Sequence, residues 1–199
     1  MSLLSVTYGK VNQVIQLTNI DNIYLTADNH FYHENIIKFT NRPFSDVDEM
    51  NQTMIDNWNN ITNDDSIIYH LGDFTLHDHT YANSIIPQLN GMIIFITPNF
   101  HHDKRWFGRD YVTKSKHVVI YEYPLQLMKI DLGQERPLKI TLSHYPLEEW
   151  ESSYHGALHF HGHSHGNLPV KENRVDVGVD CWDFTPVNLR TLLQYTGKI

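Results

Sequence analysis

Residues 158 to 166 read Leu-His-Phe-His-Gly-His-Ser-His-Gly, four histidines alternating with other residues and ending in a glycine-flanked turn. Imidazole is the commonest metal ligand among side chains. His163 and His165 stand two apart beside Gly162 and Gly166. Glycine lets a turn take φ values that other residues avoid, so the pair can aim both rings at one point. The chain holds 14 His and a single Cys, Cys181. Any metal it binds is therefore held by nitrogen and oxygen, which favours a catalytic site over a thiolate-rich structural zinc site.

The elements that must position such ligands are short apolar runs rich in Ile, Val and Tyr. They lie at Ile23 to Ala27, Ile67 to Leu71, Met92 to Thr97, Val118 to Tyr121, Leu138 to Leu142, Leu158 to His161 and Val175 to Val179. Each is bounded by turn-forming residues and reads as a buried strand. Helical patterns fall between the early ones. Val47, Met50, Met54, Trp58 and Ile61 form one apolar stripe, preceded by Ser45 as N-cap with Asp48 at capping-box spacing. Shorter helices are expected at Glu34 to Phe39 and Tyr81 to Leu89. Helices between the early strands, then mostly strands, imply an α/β fold. No repeat, linker or low-complexity tract divides the 199 residues, so residues 1–199 read as a single domain.

Five of these runs end in residues of one chemical class. Asp28 and His30 follow the first, Gly72 and Asp73 the second, Asn99, His101, His102 and Asp103 the third, His144 the fifth, and His163 and His165 the sixth. Ligands of open α/β sheets bind beyond the carboxyl ends of strands, so strands sharing one sheet edge would bring these loops together. Seven donors (Asp28, His30, Asp73, Asn99, His144, His163 and His165) are too many for one tetrahedral ion. They suit two ions that share a bridging carboxylate. A mixed imidazole, carboxylate and amide set suits Mn, Fe, Zn or Ni, with Mn the first choice.

In this order the motifs resemble those of the calcineurin-like metallophosphoesterases. The matching pieces are Asp28-Asn29-His30, Gly72-Asp73, an altered Gly-Asn-His-Asp block, Ser143-His144 and Gly162-His163-Ser164-His165. Arg42-Pro43-Phe44, Leu71-Gly72-Asp73-Phe74 and Asp176-Val177-Gly178-Val179-Asp180 are similar to strings of the small bacterial and phage-type members. The resemblance implies two packed mixed β-sheets flanked by helices, an αββα sandwich. It implies that Asp28, His30 and His165 hold a first metal, that Asn99, His144 and His163 hold a second, and that Asp73 bridges them. It further implies a phosphoesterase in which a metal-bridging hydroxide attacks phosphorus in line, the metals neutralise the phosphoryl oxygens and a histidinium protonates the leaving group.

The third block departs from the pattern. It reads Pro98-Asn99-Phe100-His101-His102-Asp103, with proline in place of a glycine and the His-Asp pair displaced by two residues. Proline fixes φ near −65°, so this loop follows its own path. His102, directly before Asp103, is the first choice for the acid, and His101 the next. Arg42, Lys104 and Arg105 are candidates for contact with phosphate. His33, His70, His159 and His161 read as packing or supporting residues.

Net charge is −8, which weighs against non-specific nucleic-acid binding. Residues 101–116 nevertheless carry five cations against two acids, a net of +3, leaving −11 elsewhere. A small phosphorylated substrate or nucleotide is the expected partner, a phosphodiester ahead of a monoester. Action as a nuclease through that basic stretch is an alternative. A catalytically weak or inactive binding or scaffold module of the same fold is another. No apolar run is long enough to span a bilayer, and Met1 to Val6 lacks the start of a secretory signal. One cysteine forbids an internal disulfide, and a cytoplasmic protein without a membrane partner is expected. Nothing in the sequence fixes its oligomeric state.

Overall fold

Short β-branched runs build two mixed, five-stranded sheets. The computed structural model describes residues 14–16, 20–97 and 102–199. One sheet orders β1 (Val14–Gln16), β6 (Leu125–Asp131), β7 (Leu138–Ser143), β8 (Leu158–His161) and β9 (Arg174–Asp176). Its β6–β7 pair is antiparallel and its other pairs are parallel. The second sheet orders β10 (Val187–Asn188), β2 (Ile23–Thr26), β3 (Ile67–His70), β4 (Met92–Ile96) and β5 (Ile120–Glu122). Here β2 to β5 are parallel and β10 lies antiparallel on β2. The expected α/β sandwich of two packed mixed sheets is thus observed.

The strands of the second sheet are buried on both faces, which is why they read as continuous apolar runs. Ile23, Leu25, Ile94 and Ile96 face the other sheet and pack with Met128, Ile130, Ile140, Leu142, Leu158 and Phe160. Tyr24, Ile68, Ile93 and Phe95 point outward into a second core under the helices. That core takes Ile36 from α1 (Glu34–Phe39), Met50, Met54 and Trp58 from α2 (Val47–Ile61), and Ala82 and Ile85 from α3 (His79–Ile85). Leu189, Leu192 and Leu193 of α4 (Leu189–Tyr195) join the inter-sheet core.

Some boundaries differ from expectation for local reasons. The N-cap of α2 is Asp46, whose carboxylate accepts from Glu49 N–H, and not Ser45. Ser45 instead bonds Glu49 through its own N–H and hydroxyl. α3 starts two residues earlier than expected, at His79 capped by Asp78, and gives way to a 3-10 turn over Ile86–Gln88. Pro87 lies in that turn, and a proline lacks the N–H a continuing helix needs. β6 and α4 were not anticipated. β6 reads Leu-Gln-Leu-Met-Lys-Ile-Asp, and only Met128 and Ile130 are fully inside.

On the outer face of the first sheet, His159 is wholly buried. Its Nδ1 lies 3.1 Å from Thr141 O, and its Nε2 accepts from Leu147 N–H. The ring is therefore the neutral Nδ1–H tautomer. Burial pulls its pKa down to about 4 from an ordinary 6.5. The unfolded chain then binds a proton that the fold refuses, so stability is full above about pH 6.5 and falls as pH drops toward 4. In chelator-treated protein, the urea midpoint should decline between about pH 7 and pH 5, and His159→Gln should flatten that decline. Equal slopes in the two proteins would contradict this assignment.

Candidate metal centre

The carboxyl ends of β2, β3 and β4 from one sheet and of β7 and β8 from the other meet at one end of the sandwich. The donors therefore come from two sheets rather than from a single sheet edge. Backbone ties the loops together: Val179 N–H to Ala27 O crosses between the sheets, while Asp28 N–H to Gly72 O and Gly162 N–H to His144 O join neighbouring loops within each sheet. Past the strands, the loops 28–31 and 72–75 stay paired, through His30 N–H to Asp73 O and Phe31 N–H to Phe74 O.

The chain folds its donors into two groups. Donor atoms of Asp28, His30 and His165 lie within 4.8 Å of one another, and so do those of Asp73, His144 and His163. The groups adjoin. Asp73 Oδ2 is 3.6 Å from His30 Nε2 in one group and 3.6 Å from His144 Nε2 in the other. The His30 and His165 rings stack at 5.2 Å, and the His144 and His163 rings meet edge-on at 5.1 Å. Asn99, expected as a seventh donor, and His101 lie outside the described residues.

The backbone holds these side chains at a cost. Asp28, His30, Asp73, His163 and His165 all have φ between +47° and +69°, a region uncommon outside glycine although Asp and His tolerate it better than most. Such conformations persist only where the surroundings over-determine them, and they cluster at functional sites. Glycines make the space. A Cβ on Gly162 would lie 2.6 Å from Asp28 Oδ2, one on Gly178 2.7 Å from the same oxygen, and one on Gly72 2.8 Å from His144 Nδ1.

The floor of the site is buried, while His163 is exposed and His165 half-buried at its mouth. Asp28, His30, Asp73 and His144 are at most 3% exposed. Burial drives the Asp28 carboxyl well above the usual carboxylate range, the nearby His165 only partly offsetting it. Burial, with help from the Asp103 charge, lifts Asp73 to about 8. Burial pushes His30 well below its ordinary value. Oδ1 of Asp28 and both ring nitrogens of His30 are buried without a hydrogen-bond partner. Buried polar atoms are almost always paired, so these orphaned donors fit a cation better than they fit an empty core.

Supporting residues aim the rings. His144 Nδ1 lies 3.0 Å from Leu71 O, which fixes the proton there and turns Nε2 toward Asp73. His165 Nδ1 lies 2.7 Å from Asp180 Oδ2. A metal-ligating histidine commonly donates its other N–H to a carboxylate or carbonyl. His70 takes Gly72 N–H on Nδ1 and gives its Nε2 proton to Asn29 Oδ1, bracing both ligand loops.

Two of the expected residues are engaged within the fold. Asp103, placed with the catalytic residues, is fully buried, and its carboxylate already accepts from the N–H groups of Asp73, Phe74 and Thr75, from Thr97 Oγ1 and from Trp106 Nε1. Successive backbone N–H groups form a concave anion nest, and Asp103 fills one, holding the turn that presents Asp73. Arg42, expected to meet substrate, is buried and forks onto Asp180 at 2.8 Å while also donating to Asp28 O and Asn29 O. Its donors are committed within the fold. Lys104 and Arg105 are exposed on the 3-10 turn His102–Arg105. His102 remains at the site, with Nε2 3.9 Å from Asp73 Oδ2 and a side chain 36% exposed. Asp180 was not singled out as a functional residue, although it closes the Asp-Val-Gly-Val-Asp string.

Calorimetric titration of the chelator-treated protein with Mn²⁺ should give two equivalents per chain, with a rise in melting temperature from preferential binding to the fold. Asp73→Asn should weaken both sites, because one oxygen serves both groups. Unaltered binding in that variant would contradict a shared carboxylate.

No protein-family model matches the chain. The chain is 35% identical over 185 residues to the uncharacterized protein MJ1445 of Methanocaldococcus jannaschii, covering 88% of this chain and 92% of that one. It also resembles the crystal structure of AQ665 from Aquifex aeolicus, a protein of unknown function. That match has a TM-score of 0.60 at 22% identity and covers 87% of this chain and 98% of the other. The second likeness establishes a common fold.

Proposed function

The chain belongs to the family of the Methanocaldococcus jannaschii protein MJ1445, and for this member we propose a phosphoric ester hydrolase that uses two divalent metal ions, Mn first among Mn, Fe, Zn and Ni. The observation that carries the reading is the place of Asp73 Oδ2, 3.6 Å from a histidine nitrogen of each donor group. A shared carboxylate between two ligand sets is what a two-metal hydrolytic site requires. The motif resemblance to calcineurin-like metallophosphoesterases supports the same chemistry.

When bound, the two cations would supply an acidified water as nucleophile and neutralise charge on the phosphoryl oxygens. The chain's own residues do the rest. Asp28, His30 and His165 would hold one ion, and His144 and His163 the other, with Asp73 between them. These groups are placed before substrate arrives, so little reorganisation is needed during reaction. No side-chain nucleophile is called on. Burial, with the carboxylates of Asp176 and Asp180, pushes the Cys181 thiol up to about 12, and the thiol, unlike the thiolate, is not the nucleophile. His102 stands on the open side beside Asp73, where its ring can pass a proton to the departing oxygen.

The buried cation argues for a diester. A monoester dianion brings a second negative charge, and Arg42, the guanidinium behind the donor groups, is already neutralised by Asp180 inside the fold. A small phosphodiester or nucleotide, rather than a long nucleic acid, suits a chain of net charge −8.

With Mn²⁺, the protein should hydrolyse bis-p-nitrophenyl phosphate faster than p-nitrophenyl phosphate, and Asp73→Asn should remove that activity. His102→Gln should change p-nitrophenyl release little, since that leaving group needs no proton. The same variant should slow cleavage of a dinucleotide, whose leaving group is an alkoxide, by about 10²-fold. Absence of turnover across Mn, Fe, Zn and Ni would overturn the proposal, and equal losses on both substrates would remove His102 from the acid role.

A further inference from the structure

Asp180 and Arg42 stand behind the first donor group and form one hydrogen-bonded unit. Asp180 uses Oδ1 for Arg42 Nε at 2.8 Å, and Oδ2 for both Arg42 Nη2 at 2.8 Å and His165 Nδ1 at 2.7 Å. Arg42 spends its remaining reach on the carbonyls of Asp28, at 2.7 Å, and Asn29, at 2.9 Å. The Arg42 side chain is 0% exposed and that of Asp180 9%. The unit therefore touches the two residues that lead into His30 and the ring of His165. These ligand loops come from different sheets, after β2 and after β8.

We infer that Asp180 and Arg42 are positioning residues that fix the metal-binding tautomer of His165 and lock its loop to that of Asp28 and His30. This inference rests on the two-metal reading of the site. Three physical points support it. A carboxylate on Nδ1 keeps the proton there and leaves Nε2 as the lone-pair donor. A bidentate guanidinium fixes the carboxylate in the plane of the fork, which a lysine would not do. The pair carries no net charge, so it adds rigidity without competing with the ligand carboxylates. In the equivalent place His144 Nδ1 meets the neutral Leu71 carbonyl, where His165 meets a carboxylate.

Asp180→Asn separates the possibilities. Asparagine offers one oxygen and one amide. Where the oxygen stays with Arg42 Nε, the amide N–H₂ takes the place of Oδ2, faces His165 Nδ1 and moves the proton onto Nε2; where it stays at Oδ2, the amide faces Arg42 Nε and breaks the fork. An Asp-to-Asn change behind a histidine elsewhere acts through the wrong tautomer in this way. In metal-free, ¹⁵N-histidine-labelled protein under alkaline conditions, wild-type His165 should show the Nδ1–H pattern and Asp180→Asn the Nε2–H pattern, while Asp180→Glu retains Nδ1–H. In Mn²⁺ titrations, Asp180→Asn should lose about 10- to 100-fold in affinity at one site and leave the other unchanged. If Asp180→Asn does not fold, the wild-type spectrum still decides, because an Nε2–H His165 there overturns the inference. An unchanged tautomer together with unchanged Mn²⁺ affinity in a folded Asp180→Asn, or equal losses at both sites, also overturns it. Absence of Mn²⁺ binding by the wild type would instead overturn the two-metal reading, and the metal-free spectra report on the tautomer independently of that result.

Discussion

One buried carboxylate oxygen, Asp73 Oδ2, lies between histidines of two donor groups. Everything around it is arranged to keep it there. The parallel β2–β3 pair continues past its own strands into the 28–31 and 72–75 loops. The buried carboxylate of Asp103 gathers three consecutive N–H groups of the turn that bears Asp73. Burial opposes leaving a charge on Asp73, since a desolvated carboxylate prefers its proton. A nearby cation reverses that preference, so the site's electrostatics and its donor set point the same way.

The strain has the same origin. Five donor residues at positive φ would be a poor choice for a loop whose only task is to turn, because glycine serves there at no steric cost. Keeping Asp and His in those positions makes sense where the side chain must point inward from a tight turn. The glycines at 72, 162 and 178 sit instead where a Cβ would collide with Asp28 or His144. Glycine thus supplies room for ligands, while the ligands themselves bear the backbone strain.

Much of this was legible in the chain. Strands buried on both faces announce themselves as unbroken runs such as Met92 to Ile96, and residue class at the strand ends marked six of the donors that the fold gathers. What stayed hidden is instructive. β6 escaped because its apolar residues are interleaved with Gln126, Lys129 and Asp131. The division of the loops between two sheets depends on pairings far apart in sequence, such as Val179 to Ala27. The bonds that Arg42 and Asp103 make inside the fold are not legible in the sequence. A buried Arg that forks onto a carboxylate 138 residues away cannot be told from an anion-binding Arg until the fold shows where its donors go. Asp180 was passed over for the complementary reason, since its partner His165 is set by the same tertiary closure.

A crystal structure of Mn²⁺-loaded protein, with anomalous data collected at the Mn edge, decides whether Asp73 joins two metal ions. Two anomalous peaks about 3.5–4 Å apart are expected, one beside Asp28, His30 and His165, the other beside His144 and His163, and both touching Asp73. A single peak, or peaks that leave Asp73 uncoordinated, would contradict a bridging Asp73.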